Sequence, residues 1–297
     1  MKTAAGLVGL VLVLLLLLGL WAWTPDRSRA ELEARYLESP GDLRDVAGVR
    51  LHLRDRGAKG APALLLIHGF GASLHTWDAW VPALLRTHRV IRFDLPGSGL
   101  SSPDPTGRYD DARTLELLVA LMDQLGLARA SVIGHSIGGR MAWTFAATHP
   151  QRVDKLVLMA PDGFSSPGFA YGQAPKVPAS VALMRYALPE PLLRMSLAPA
   201  YGDPSALTDE RATRYHELML APGSRDALIA RMQQTVLVDP VPLLKRIEAP
   251  TLLLWGERDA MVPFANAADY ARHLPQSRVA ALPGVGHLPQ EEAEQAS

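Results

Sequence analysis

The sequence predicts an α/β fold in which a mostly parallel sheet is covered by helices on both faces. A helical insertion and one N-terminal transmembrane helix complete the expected architecture. Three observations carry this. From about residue 43 onward, short continuous apolar runs alternate with stretches of helical periodicity, the pattern of strands buried on both faces. One segment, Asp162 to about Pro240, contains no strand-like run. Ala4 to Trp23 is an unbroken run of uncharged residues.

Taken in chain order, that run comes first. As a helix it would rise about 30 Å, enough to cross a hydrocarbon core. Trp21 and Trp23 close it, where an interfacial aromatic belt would sit. A cleaved signal peptide has a shorter apolar stretch and a small-x-small cleavage site, and Leu20-Trp21-Ala22 is a poor one. Residues 1–24 are therefore expected to be a single-pass anchor that places the protein in a membrane. Lys and Arg counts on the two sides slightly favour a cytoplasmic body. The very short tail before the run favours export, and the body is expected outside the cytoplasm. Residues 25–42 are polar and charged and read as a linker or surface helix. Residues 43–297 form the folded domain.

Within that domain, Val46 to Arg54 alternates around Gly48, a hairpin signal. Buried-type strands are expected at Ala63–Ile67, Arg89–Phe93, Ala130–Ile133, Val153–Met159, Thr251–Trp255 and Arg278–Leu282. Helices are expected over Leu115–Leu125 and Met141–Thr148. The insertion, about residues 162–240, opens with a Pro/Gly-rich stretch from Ser166 to Pro178. Short amphipathic segments follow, at Val181–Ala187 and Ala227–Val236. Such an insertion lies over the carboxyl ends of the strands, where open α/β sheets bind ligands.

Composition narrows the function classes. Lys+Arg and Asp+Glu are both 30, so the net charge is +0, without the basic excess of a nucleic-acid binder. Apolar content of 48% and charged content of 20% belong to a globular protein rather than a disordered one. Cys is absent, which removes disulfides, thiolate metal sites and a cysteine nucleophile. No protein partner is inferred.

The residues that carry chemistry begin with Gly134-His135-Ser136-Ile137-Gly138-Gly139, a G-x-S-x-G sequence between an expected strand and an expected helix. The chain must reverse there in one tight turn. Small residues on either side let the backbones pass, and the Ser136 hydroxyl is pushed clear of the sheet. The N–H of Ile137, at the helix amino terminus, is free to bind a developing oxyanion. A serine hydroxyl needs a base and a group that orients it. His287 stands in a Gly-rich loop after the last expected strand, and Asp259 in a loop after Thr251–Trp255. The order Ser136, Asp259, His287 is nucleophile, acid, base. Asp162, after the strand that follows the elbow, is the other candidate acid. His135 and His68 are expected to pack or shape the site. Asp94 and Ser98 are expected to hold a turn, and Arg140 to form a salt bridge.

On these motifs the sequence resembles the α/β-hydrolase superfamily, in the branch with a helical lid, over about Val46 to His287. Leu65-Leu66-Ile67-His68-Gly69-Phe70-Gly71 is similar to that family's oxyanion loop. Asp94-Leu95-Pro96-Gly97-Ser98-Gly99-Leu100-Ser101 resembles its turn after the next strand. The resemblance implies that the N–H of Phe70 is the second oxyanion donor beside Ile137, and that no metal and no organic cofactor is used. A long apolar amino terminus with a G-x-S-x-G-G elbow is similar to membrane-anchored monoacylglycerol lipases. After His287, Leu288-Pro289-Gln290-Glu291-Glu292 fits the family's continuation, but Glu294 stands where proline is usual and the final helix is nearly absent.

The leading expectation is a serine hydrolase cleaving carboxylic esters of apolar acyl groups, an esterase or lipase. Met184, Tyr186, Leu192, Leu193, Met195 and Leu197 would line its acyl pocket or, equally, form the core-facing side of lid helices. A carbon–carbon bond hydrolase acting on a vinylogous diketone uses the same three residues. The non-enzyme alternative is a ligand-binding protein on a hydrolase fold.

Overall fold

The structure, a computed structural model, describes residues 2–165 and 170–297. Residues 166–169, the start of the Pro/Gly-rich stretch, lie outside the described residues. Eight strands form one sheet: β1 (Leu43–Val46), β2 (Val49–Arg56), β3 (Ala63–Ile67), β4 (Arg89–Phe93), β5 (Ala130–His135), β6 (Val153–Met159), β7 (Thr251–Gly256) and β8 (Ser277–Leu282). Their spatial order is β1-β2-β4-β3-β5-β6-β7-β8. β1, β2 and β4 pair antiparallel, and all pairs from β4 to β8 are parallel.

The helices are α1 (Lys2–Ala22), α2 (Arg29–Tyr36), α3 (Val81–Leu84), α4 (Asp111–Gln124), α5 (Ile137–Thr148) and α6 (Ala179–Leu183). They continue with α7 (Glu190–Leu197), α8 (Asp209–Met219), α9 (Ser224–Gln234), α10 (Val241–Leu244), α11 (Asn266–His273) and α12 (Pro289–Glu292). α6 to α10 lie between β6 and β7.

The strand period of two divides the core. Leu65 and Ile67 of β3, Val132 of β5 and Leu253 of β7 face a large cluster shared with α4, α5 and α11. Leu64, Leu66, Ile133 and Leu254 face the opposite way. That second face is covered by Trp77, Trp80, Val81, Leu84 and Leu85. α5 is buried on nearly every side, between the sheet and α4 and α10. Gly138, Gly139, Ala142 and Ala146 keep it close to the strands.

The stretch read as a linker or surface helix carries α2, which is docked. Ser28 and Glu31 form a capping box that starts α2. Leu32 is buried against Leu100, Leu218 and Ala221. Glu217 of α8, itself buried, accepts from Arg35 at 2.6 Å and from the Tyr36 hydroxyl at 2.5 Å. Farther back, the Trp23 ring stacks on Tyr186, and Arg225 of α9 donates to the Thr24 carbonyl and to Asp26.

The membrane expectation is corrected. A hydrocarbon core needs about 30 Å. Among the described residues no helix is long and apolar enough to cross a membrane. That overturns the single-pass anchor, the membrane localisation and the placement of the body outside the cytoplasm that rested on it.

The turn after β4 shows how a buried carboxylate organises backbone. Asp94 accepts from the N–H groups of Leu74 and Leu100 at 2.7 and 2.9 Å, and from His52 Nδ1 at 2.7 Å. Its own carbonyl accepts from the Ser101 hydroxyl. Ser101, not Ser98, is therefore the hydroxyl that fixes this turn. Burial pushes the Asp94 carboxyl up, but the adjoining His52 and these hydrogen bonds outweigh it and hold it at about 2. A carboxyl depressed in the folded state stabilises the fold above its unfolded value near pH ~4, and that contribution is lost as pH falls through about 2. The size is about 2 kcal/mol. Urea denaturation of wild type and Asp94→Asn is expected to show a stability gap at pH 6 that narrows steadily toward pH 2.

Candidate active site

Ser136 sits between β5 and α5 with φ 54° and ψ −121°, a backbone region that costs a non-glycine residue on the order of 1–3 kcal/mol. The turn is held by its own backbone groups. Ser136 N–H donates to the Met159 carbonyl, and its carbonyl accepts from the N–H groups of Arg140 and Asp162. Close approach is the second requirement. A Cβ on Gly138 would strike the carbonyl oxygens of Ile67 and His68, and one on Gly139 would come within 2.8 Å of the Pro161 side chain. Ile137 is the first residue of α5, so its N–H has no carbonyl one turn back to bond.

The loop after β3 lies against this turn. A Cβ on Gly69 would lie 2.7 Å from His135 Nδ1 and 3.2 Å from the Ser136 Cβ. His68 sets the loop's shape from within. Its Nε2 accepts from the Leu95 N–H at 2.9 Å, so Nδ1 carries the proton and donates to the Gly69 carbonyl at 2.8 Å. Burial lowers the pKa of this ring, which favours the neutral form that this pattern needs. Phe70 is 41% exposed.

His287 and Asp259 meet across two loops. His287 Nδ1 is 2.8 Å from Asp259 Oδ2, and both side chains are buried. The other oxygen of Asp259 accepts from the N–H groups of Met261 and Val262, both at 2.8 Å. A carboxylate so held makes Nδ1 the donor and leaves Nε2 as the unprotonated nitrogen. His287 N–H donates to the Ala200 carbonyl at 2.6 Å. His135, next to Ser136, donates from Nε2 to the His287 carbonyl at 2.7 Å, and the two rings stand 4.6 Å apart. Burial first, then the neighbouring His287, lowers the His135 pKa well below its ordinary value.

Asp162 is drawn elsewhere. Its carboxylate faces Arg140 at 3.7 Å, and burial raises its pKa against the pull of that arginine. Arg140 is also paired with Asp111. Among the residues expected to line an acyl pocket, Leu193 is buried with Ala72, Leu188, Tyr215 and Leu220, and Met184 and Leu197 pack against that cluster. Tyr186, Leu192 and Met195 face outward, Met195 at 70% exposure. On α7 the four-residue spacing of Leu193 and Leu197 selects one face, and Leu192 and Met195 fall on the other.

Sequence reasoning missed the contacts that follow His287. Glu291 accepts from the Tyr201 and Tyr215 hydroxyls, and Glu292 from the N–H groups of Gly202, Asp203 and Gly286. The signal available was the acidic pair four and five residues past the histidine, in a stretch that fits the family's continuation.

Residues 62–294 match the model of the alpha/beta hydrolase fold. The chain belongs to the α/β-hydrolase family. It is 33% identical over 259 residues to the dihydrolipoyllysine-residue acetyltransferase component of an acetoin cleaving system from Pseudomonas putida. That match covers 84% of this chain and 65% of the relative, so the chain spans about two thirds of that protein's length. It is 30% identical to a 2-hydroxymuconate semialdehyde hydrolase of Pseudomonas putida, covering 85% of this chain and 90% of the relative. Among solved structures, a bacterial membrane phospholipase A is 25% identical with a TM-score of 0.70, covering 99% of this chain and 94% of that one. The chain is thus a hydrolase of this fold.

The close approach at the elbow generates a test. Gly138→Ala is expected to cost about 1–3 kcal/mol, because the new methyl meets the backbone of β3 and not a movable side chain. A lowered urea midpoint checks it.

Proposed function

We propose that this hydrolase cleaves carboxylic esters of apolar acyl groups through an acyl-enzyme on Ser136. In this reading the Ser136 oxygen attacks the carbonyl carbon while His287 Nε2 takes its proton. Asp259 holds the Nδ1–H tautomer and offsets the imidazolium charge. The N–H groups of Phe70 and Ile137 bind the oxyanion, each worth about 10²-fold in rate. Collapse of the tetrahedral adduct breaks the bond to the alcohol oxygen, which His287 protonates. Water then attacks the acyl-enzyme by the same route and frees Ser136. The 2.8 Å bond between His287 and Asp259 supports these roles.

The observation that carries the substrate class is the apolar cluster of Leu188, Leu193, Tyr215 and Leu220 on Ala72, two residues beyond Phe70. It brings aliphatic side chains of the insertion onto the oxyanion loop, where an acyl chain would lie. The phospholipase likeness supports the same reading, because it extends over 99% of the chain.

Carbon–carbon bond hydrolysis of a vinylogous diketone is the second reading. The names of the curated relatives weigh toward it more directly than toward esters: the 2-hydroxymuconate semialdehyde hydrolase is one such name. A dienoate substrate carries a carboxylate, and a buried carboxylate needs a cation. Arg185, Arg194, Arg211, Arg214 and Arg225 of the insertion are paired with carboxylates of this chain, whereas the buried Arg231 of α9 lies on the Tyr109 ring and donates to the Pro96 carbonyl, so the arginines do not count against this reading.

Two measurements test the proposal. A fluorophosphonate probe is expected to label the wild type and not Ser136→Ala. With 4-nitrophenyl esters, kcat/KM is expected to rise from acetyl to octanoyl, since each buried methylene contributes about 0.8 kcal/mol. Turnover of the dienoate diketone alone would transfer the assignment to the second reading. The acid is tested separately. Asp259→Asn is expected to lower kcat by about 10⁴-fold, through the wrong histidine tautomer. Asp162→Asn is expected to leave kcat nearly unchanged. The reverse ranking would overturn the assignment of Asp259.

A further inference from the structure

We infer that Glu292 is a positioning residue for His287, acting through the backbone of the histidine loop. The inference rests on the reading of His287 as the base. β8 ends at Leu282, and His287 is carried by the short loop that follows, with Gly284 at φ 80°. Such a loop is free to move unless its backbone groups are taken up. Here they are. The Glu292 carboxylate accepts from Gly286 N–H at 2.8 Å and from Gly202 N–H at 3.0 Å through one oxygen. Its other oxygen accepts from Asp203 N–H at 2.7 Å. One carboxylate therefore ties the residue before His287 to the segment 200–203 of the insertion. That same segment supplies the Ala200 carbonyl that accepts from the His287 N–H. The two backbones are too close for side chains: a Cβ on Gly286 would lie 2.7 Å from the carbonyl carbon of Tyr201, and one on Gly202 2.8 Å from Gly286 N.

Glu292 is itself fixed. α12 is a single turn, and its preceding residue Glu291 is buried and accepts from Tyr201 and Tyr215. Gln290 donates to the Thr76 hydroxyl. The turn is thus anchored on the body by Gln290 and on the insertion by Glu291. Glu292 converts that anchorage into a fixed position for Gly286, and hence for the ring that must meet Asp259 on one side and Ser136 on the other. An ionised carboxylate suits the task, since it accepts three strong bonds and needs no proton of its own.

The experiment reads His287 and turnover separately. A low-field proton resonance of the His287–Asp259 bond is identified by its loss in His287→Ala. In Glu292→Ala this resonance is expected to vanish or move upfield. With 4-nitrophenyl butyrate kcat is expected to fall about 10²-fold, the effect of a displacement of about 1 Å, with KM little changed. Glu292→Gln keeps one accepting oxygen and is expected to restore part of both signals. It also serves where the alanine variant fails to fold. An unmoved resonance in either folded variant, or a loss confined to KM, would overturn the inference. Full esterase activity in Ser136→Ala would instead end the hydrolytic reading of Ser136, while the resonance still judged Glu292.

Discussion

The backbone of Ser136 is held at φ 54° and ψ −121°, and most of what surrounds it follows from keeping it there. A non-glycine residue adopts such angles only when its neighbours leave no alternative. Its N–H is bonded to β6, its carbonyl to Arg140 and Asp162, and the helix that follows lies against β3 without the thickness of a side chain. The glycines at 134 and 138 are therefore sterically required, and the strain is offset by burial of α5 on nearly all sides. At about 1.5–3 kcal/mol for each large apolar side chain, a few of its buried residues exceed the cost of the turn. The same turn leaves the Ile137 N–H without an intrahelical partner, so the strain that exposes the hydroxyl also presents the donor.

Around that turn, three histidines divide the polar work by environment. His68 is fixed as a neutral ring between Leu95 and Gly69, and shapes the loop that carries Phe70. His135 is fully enclosed and its pKa is depressed, by burial first and His287 second. It donates to the His287 carbonyl and adds no charge beside it. His287 alone has a carboxylate on Nδ1. A neutral His135 places no like charge beside the His287 ring, 4.6 Å away. Asp162, a plausible acid from its position after β6, is taken by Arg140 and the wall of α5.

Much of this was legible in the sequence, for identifiable reasons. Buried strands such as Leu64–Ile67 are short continuous apolar runs, and their order fixes which loops gather at the carboxyl ends. Ser136, Asp259 and His287 could be placed because each follows such a run. What was not legible depends on contacts between segments far apart in the chain. Nothing local in Arg35 or Tyr36 marks them as partners of Glu217, so the sequence leaves a linker and a surface helix equally open. The outward turn of Leu192 and Met195 is set by which face of α7 meets Ala72. The apolar run at the amino terminus reads as a membrane span on length and composition, and the described residues contain no helix that meets that requirement. The role of Ser101 in the turn after β4 depends on a hydroxyl reaching back seven residues to Asp94.

These distant contacts also decide which part of the insertion is costly to displace. α8 is held by the buried Glu217 with its arginine and tyrosine partners, and Tyr215 on the same helix is bonded to the buried Glu291. Leaving such a buried acceptor short of one partner costs about 1–3 kcal/mol. α9 is held by Arg225 and by the contact of Arg231 with the Pro96 carbonyl. α6 has no buried residue, and α7 buries only Leu193. The free-energy cost of displacement therefore falls from α8 and α9 toward α6 and α7. The segment that touches the histidine loop, residues 200–203, lies between α7 and α8, and the apolar cluster on Ala72 draws Leu193 from α7 and Tyr215 from α8. Both surfaces therefore depend on how α8 is seated: the turn that follows His287 through the bond of Tyr215 to Glu291, and the apolar cluster through the packing of the same tyrosine.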